Sequence, residues 1–139
     1  YNGAKYEAKI LARFIDIPSV WKIDAVVPVP LHCKRIKKRG FNQSELIAKH
    51  LCENKGLKLD TSLLIRGVDT KQQARMTEAG RKRNVKGAFI ADDRCRGASV
   101  LLLDDVCTTG ATLSECAKEL KKHGCEKVYA VTVCFVKPD

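Results

Sequence analysis

VLLLDDVCTTGAT, residues 100–112, decides how this chain is read. A short apolar run from Val100 to Leu103 leads straight into two adjacent acids, Asp104 and Asp105, and then into Thr108, Thr109, Gly110, Ala111 and Thr112. The apolar run has the character of a buried strand, and open α/β sheets take their ligands at the carboxyl ends of their strands. The two carboxylates are therefore expected to emerge together at a ligand site. Neighbouring acids suit a vicinal diol: each accepts charge-assisted hydrogen bonds from sugar hydroxyls and helps seat a divalent cation on the same oxygens. The threonines and small residues that follow bring hydroxyls and backbone N–H groups to the start of a helix, which favours an anion by ~0.3–1 kcal/mol, or up to ~2 kcal/mol when partly buried. Gly110 permits close backbone approach. Acids for a sugar beside amides for a phosphate read as a cradle for a pentose phosphate.

Other phosphate motifs fit less well. A Walker loop needs a lysine before its Ser/Thr and a dinucleotide fingerprint needs G-x-G-x-x-G, and neither occurs here. A strand-end acid that merely caps a helix accounts for one carboxylate but not for two followed by T-T-G-A-T.

Downstream, Leu113, Cys116, Ala117 and Leu120 give a helical stripe ending at Gly124, and Val128 to Val136 reads as a further strand. Upstream, DAVVPVP, residues 24–30, is a β-branched run closed by two prolines, a strand that stops in a constrained loop. Asn42 and Glu45 suggest a capping box for a helix that turns Ile47, Ala48, Leu51 and Cys52 inward and stops at Gly56. Residues 4–16 read as an opening amphipathic helix, with Ala8, Leu11 and Ile15 on one face and Pro18 beyond its end. The alternation predicts an α/β domain with a mainly parallel sheet. Between a short apolar segment at 63–65 and the central strand lies RGVDTKQQARMTEAGRKRNVKG, residues 66–87, polar and aperiodic. Its length predicts a functional loop, with a lid as the preferred reading.

At 139 residues and 45% hydrophobic composition, the chain is expected to be one domain spanning 1–139. No apolar run approaches the roughly 20 residues of a membrane span. The seven cysteines (Cys33, Cys52, Cys95, Cys107, Cys116, Cys125 and Cys134) form no C-x-x-C pair, so they read as small buried hydrophobes in a reducing cytoplasm. The net charge of +10 predicts attraction to polyanions without choosing among them. The first residue is Tyr1 rather than methionine, which leaves a preceding module open.

Residues 100–112 resemble the phosphoribosyl pyrophosphate (PRPP) signature of type I phosphoribosyltransferases. VPVPLHCKRIKKRGFNQSELIA and RGVDTKQQARMTEAGRKRNVKGAF further resemble the competence protein F family within that superfamily. The resemblance covers nearly the whole chain from Asp24 onward and implies a twisted parallel sheet flanked by helices, with a flexible lid. It implies Mg-dependent transfer of a phosphoribosyl group from PRPP to an acceptor that the sequence does not name. Asp104 and Asp105 would hold the ribose and share the magnesium with its hydroxyls, while Thr108 to Thr112 take the 5-phosphate. The loop at Pro30, Leu31 and His32 would contact pyrophosphate, often through strained or cis geometry in the family. Val29–Pro30 is the candidate cis bond, against the general preference for trans. Thr70, Gln73, Arg81 and Asn84 match the family's lid positions and read equally as solvated surface. A Cys-rich zinc module often precedes this domain in the family and is not present in these residues.

A second function stays open beside the first, because the family is associated with DNA uptake. KRIKKR carries Lys34, Arg35, Lys37, Lys38 and Arg39, and Arg81, Lys82, Arg83 and Lys86 add a second cluster. Such runs bind single-stranded DNA through its phosphates. They serve equally as a solvated face that steers PRPP, since Phe41 is the only aromatic beside the run to stack on a base. His50 and His123 read as helix-surface residues. No side chain stands out as a general base, and the oligomeric state, a dimer included, is not fixed.

Overall fold

The computed structural model describes residues 2–31, 36–38, 40–67, 87–107 and 109–136. Its centre is the strand predicted from SVLLLD, residues 99–104. β4 (Ser99–Cys107) pairs in parallel with β1 (Ala25–Pro28) on one side and β5 (Lys127–Phe135) on the other. A parallel bridge from Val26 to Leu59 extends the sheet past β1.

Side chains alternate across a strand, and the sheet uses this to fill two cores. Val27, Val29, Val100 and Leu102 face one layer, where Cys116 and Leu120 of α3 (Ala111–Lys122) close over them. Val26, Leu101 and Leu103 face the other, against Ala8 and Ala12 of α1 (Asn2–Arg13) and Ile47, Ala48 and Leu51 of α2 (Gln43–Lys55). Leu101, Leu102 and Leu103 are all fully buried, so each is worth several kcal/mol: trimming one to alanine costs about 2–5 kcal/mol. The expected parallel α/β layering is therefore what the chain adopts.

The helix boundaries follow local chemistry. Asn42 is extended and its side chain accepts from Ser44 N–H, so it caps α2, and Gly56 ends the helix in the left-handed region at φ 67°. α1 starts at Asn2 and ends at Arg13, earlier than the 4–16 expected. Its exit tightens: Phe14 and Ile15 donate to carbonyls three residues back rather than four. Beyond it, Trp21 stacks on Tyr129 of β5 with ring centroids 4.4 Å apart.

Two elements were not anticipated. The expected apolar segment becomes β2 (Leu64–Arg66), paired antiparallel with β3 (Phe89–Ala91), and a 3₁₀ turn follows at Asp93–Cys95. The hairpin brackets residues 68–86, where the lid was expected, and these lie outside the described residues. β4 also runs on through the acid pair to Cys107 instead of stopping at Asp104, because pairing with β5 continues as Val106 with Cys134 and Cys107 with Phe135.

The cysteines follow the buried-hydrophobe reading only in part. Cys52, Cys95, Cys116 and Cys125 are buried, but Cys107 is half-buried and Cys134 is exposed, and Cys33 lies outside the described residues. Burial pushes the Cys52 thiol up to about 11 and that of Cys116 to about 12, so neither supplies a thiolate at neutral pH. No helix among the described residues is long and apolar enough to cross a membrane.

Candidate functional site

The carboxyl end of β4 carries the acid pair. Burial is complete from Val100 to Leu103 and partial from Asp104 on, so the strand delivers its acids at the boundary between core and solvent. Consecutive strand residues begin on opposite faces, yet these two carboxylates converge. Ser44 Oγ, reaching over from the first turn of α2, lies 3.4 Å from Asp104 Oδ1 and 3.3 Å from Asp105 Oδ1, within donating distance of both. The same oxygen accepts from Asp105 N–H at 3.1 Å.

Convergence has an electrostatic cost. Burial, reinforced by the hydrogen bond and negative charge of Asp105, pushes the Asp104 carboxyl up to about 7. A site that holds two carboxylates together this way is short of positive charge. Among the described residues no cluster of three or more His, Cys, Asp or Glu side chains is arranged to hold a metal by itself. Two hard oxygen donors and an unneutralised charge fit magnesium, which binds through one or two carboxylates and takes its remaining ligands from water and substrate oxygens.

Beside the acids, a cleft of about 220 Å³ is lined by Asp104, Val106, Cys107 and the stretch from Thr109 to Leu113. Gly110 caps α3 from the left-handed region at φ 79°, where a Cβ would meet open space, so backbone conformation is what selects glycine there. The α3 terminus has no side-chain cap, although Thr109 Oγ1 accepts from Ala111 N–H at 3.3 Å. With the Ala111 N–H given to Thr109 Oγ1 and the Ser114 N–H to Gly110 O, the first-turn amides left for an anion at the cleft are those of Thr112 and Leu113. A second cleft of about 580 Å³ meets Asp105 from the other side, lined by Ala4, Glu7, Phe41 and Gln43.

The structure brings together Asp104, Thr109, Gly110, Ala111 and Thr112 around one cleft, with Asp105 joined to Asp104 through Ser44 and lining the second cleft; Thr108 lies outside the described residues. Pro30 and Leu31 follow β1 at the same edge of the sheet, half-buried, and the Val29–Pro30 peptide is trans. His32 lies outside the described residues, as do Thr70, Gln73, Arg81 and Asn84. Of the basic run, Lys37 and Lys38 are exposed on a single helical turn at 36–38, while Lys34, Arg35 and Arg39 lie outside the described residues, as do Arg81, Lys82, Arg83 and Lys86. His123 does more than decorate a helix surface: its Nδ1 lies 2.7 Å from Asp93 and its Nε2 3.1 Å from Glu119.

Sequence reasoning missed Ser44. The signal was available, since Ser44 shares the inward stripe of α2 with Ile47, Ala48 and Leu51 and is the polar residue on it.

Comparison with known proteins bears on the family and the fold. A family model described as phosphoribosyl transferase domain matches residues 21–138. The DNA utilization protein YhgH of Salmonella typhi is 36% identical over 111 residues, covering 80% of this chain and 49% of that protein. Competence protein F of Haemophilus influenzae is 33% identical over 108 residues, covering 76% of this chain and 47% of its own length. The chain thus spans about half the length of these relatives. Among solved structures, the glutamine PRPP amidotransferase of B. subtilis, complexed with ADP and GMP, superposes with a TM-score of 0.62. It is 20% identical, with coverage of 94% of this chain and 26% of that one, a likeness of fold.

Proposed function

Because the chain belongs to the phosphoribosyl transferase domain family, we propose that its strand-end cleft binds PRPP with magnesium and transfers the phosphoribosyl group to an acceptor nucleophile. The observation that carries this reading is the convergence of Asp104 and Asp105 beside the uncapped start of α3. The acids accept hydrogen bonds from the ribose hydroxyls. Backbone amides and hydroxyls from Thr108 to Thr112 take the 5-phosphate. Pro30, Leu31 and His32 lie on the loop assigned to pyrophosphate.

Asp104 and Asp105, together with ribose oxygens, would hold the magnesium, which supplies charge neutralisation to the leaving group. In the transfer, the bond from the anomeric carbon to the pyrophosphate oxygen breaks and pyrophosphate leaves with the electron pair, while the acceptor's lone pair forms the new bond. The cationic character that develops on the sugar is stabilised by the two carboxylates, already in place before reaction.

Calorimetric titration with PRPP and magnesium tests the reading. The wild-type chain binds, and Asp104→Asn combined with Asp105→Asn loses affinity by at least about 100-fold, as expected for two charged hydrogen-bonding groups at about 1.5–3 kcal/mol each. Unchanged affinity in the double variant would remove the proposal.

Because one relative is named for DNA utilization and another for competence, we propose as a second reading that the chain handles single-stranded DNA, with the PRPP site regulatory or vestigial. Lys37 and Lys38, exposed beside Phe41, would then contact phosphates. Gel-shift affinity should fall steeply with salt and drop when Lys34, Arg35, Lys37, Lys38 and Arg39 are neutralised. A flat salt response counts against this reading.

A further inference from the structure

Hydrogen bonds join the ends of β1, β4 and α2 in a closed circuit. Val29 N–H donates to Leu103 O at 2.9 Å. Val29 O accepts from Asn42 Nδ2 at 3.1 Å, and Asn42 Oδ1 accepts from Ser44 N–H at 3.0 Å. Ser44 Oγ accepts from Asp105 N–H at 3.1 Å, and β4 itself returns the path from Asp105 to Leu103. Both side chains in the circuit are buried, Asn42 at 8% exposure and Ser44 at 3%.

Helix capping does not account for this arrangement. An N-cap needs only the Asn42 oxygen, and serine or threonine would serve as well; neither carries a nitrogen to give to Val29. A hydroxyl on the inward stripe of α2 is costly to bury unless it is used. Ser44 uses it in both senses: its oxygen accepts from the Asp105 amide, and its one proton is within reach of both carboxylates.

We propose that Asn42 and Ser44 are positioning residues of the phosphoribosyl site, which together set the interval between the loop after β1 and the acid pair. The inference rests on the PRPP reading, in which that loop takes pyrophosphate and the pair takes ribose. Val29 O, held by Asn42, immediately precedes Pro30, so the Asn42 amide fixes where the loop departs. Ser44 fixes the carboxylates. A ligand that spans both gains from having the interval set in advance, whereas a ligand that touches only the acids depends on Ser44 alone.

Calorimetry with two ligands tests this on the wild type and three variants: PRPP with magnesium, and ribose 5-phosphate, which lacks pyrophosphate. Asn42→Ser keeps a capping oxygen and loses the donor to Val29. It should weaken PRPP about tenfold and leave ribose 5-phosphate within about twofold. Ser44→Ala should weaken both about tenfold, and Ser44→Thr, which restores the hydroxyl, should recover both. The proposal is overturned if Asn42→Ser and Ser44→Ala bind both ligands as wild type does. It is equally overturned if each variant loses both ligands by one factor that tracks its melting temperature, the pattern of a purely architectural role. Should the added methyl of Ser44→Thr prevent folding, the contrast between the two ligands in Asn42→Ser decides. A wild type that binds neither ligand removes the PRPP reading and this inference with it, whereas a wild type that binds beside unchanged variants removes the inference alone.

Discussion

Asp104 shows how the proposed ligand site departs from what folding alone would choose. Its carboxyl is pushed up to about 7 by burial and by Asp105 beside it, well above the ~3.9 of an unfolded chain. Because the folded value is the higher one, the protonated form favours the fold. Stability linked to this group is fully present below about pH 4 and is lost as pH rises through about 7. Asp104→Asn is therefore expected to melt higher than wild type at pH 8, by on the order of 1–2 kcal/mol once partial solvent access is discounted. The difference should shrink toward zero near pH 4. Thermal melts at the two pH values check this, and an Asp104→Asn protein no more stable than wild type at pH 8 would contradict it. Gain of stability with loss of ligand is the usual signature of a residue kept for binding.

Individual residues also mark where sequence reasoning stopped. That Asp104 would meet Thr109, Gly110 and Thr112 around one cleft was legible, because a strand end followed at once by a helix start places them together. The bracing of the acids by Ser44 was not, because that contact joins positions 61 apart in the chain and exists only once α2 has docked on the sheet.

Among the elements, legibility tracked length and punctuation. β4 declared itself through an unbroken apolar run, and α2 through Asn42 and Gly56 at its ends. β2 and β3 did not, since three residues carry too little alternation to register. Leu64, Phe89 and Ala91 are buried, but Ile65 and Ile90 face outward with 48% and 47% exposure, so apolar residues lie on both faces and the apolar/polar alternation of a strand is hidden.

The far end of α3 carries its own testable feature. His123 caps the helix between Asp93 and Glu119, and the hydrogen bond its Nδ1–H donates to Asp93, aided by the charge of Glu119, raises its pKa above the usual value. A raised histidine pKa contributes stability below about pH 6.5 that is lost as pH climbs through the folded value. His123→Gln should melt below wild type at pH 6 and match it at pH 9, as followed by circular dichroism. Equal melting temperatures at pH 6 would show that the ion pairs contribute nothing to the fold.

For the molecule as a whole, the net charge of +10 and the two-sided core around one parallel sheet are general features, compatible with many anionic ligands. Under the proposed function, selectivity comes from the place among the described residues where acids, the start of α3 and a proline-closed loop meet at one sheet edge. That placement also separates the two readings by distance along the chain, since Lys37 and Lys38 belong to the segment between β1 and α2, whereas the proposed phosphate cradle opens α3. The most direct measurement is amide-resolved NMR during titration with PRPP and magnesium at physiological ionic strength. The account predicts saturable shifts concentrated at Asp104, Asp105 and Thr109 to Thr112. Shifts confined to Lys37, Lys38 and other exposed basic positions, with the end of β4 and the start of α3 unmoved, would contradict it.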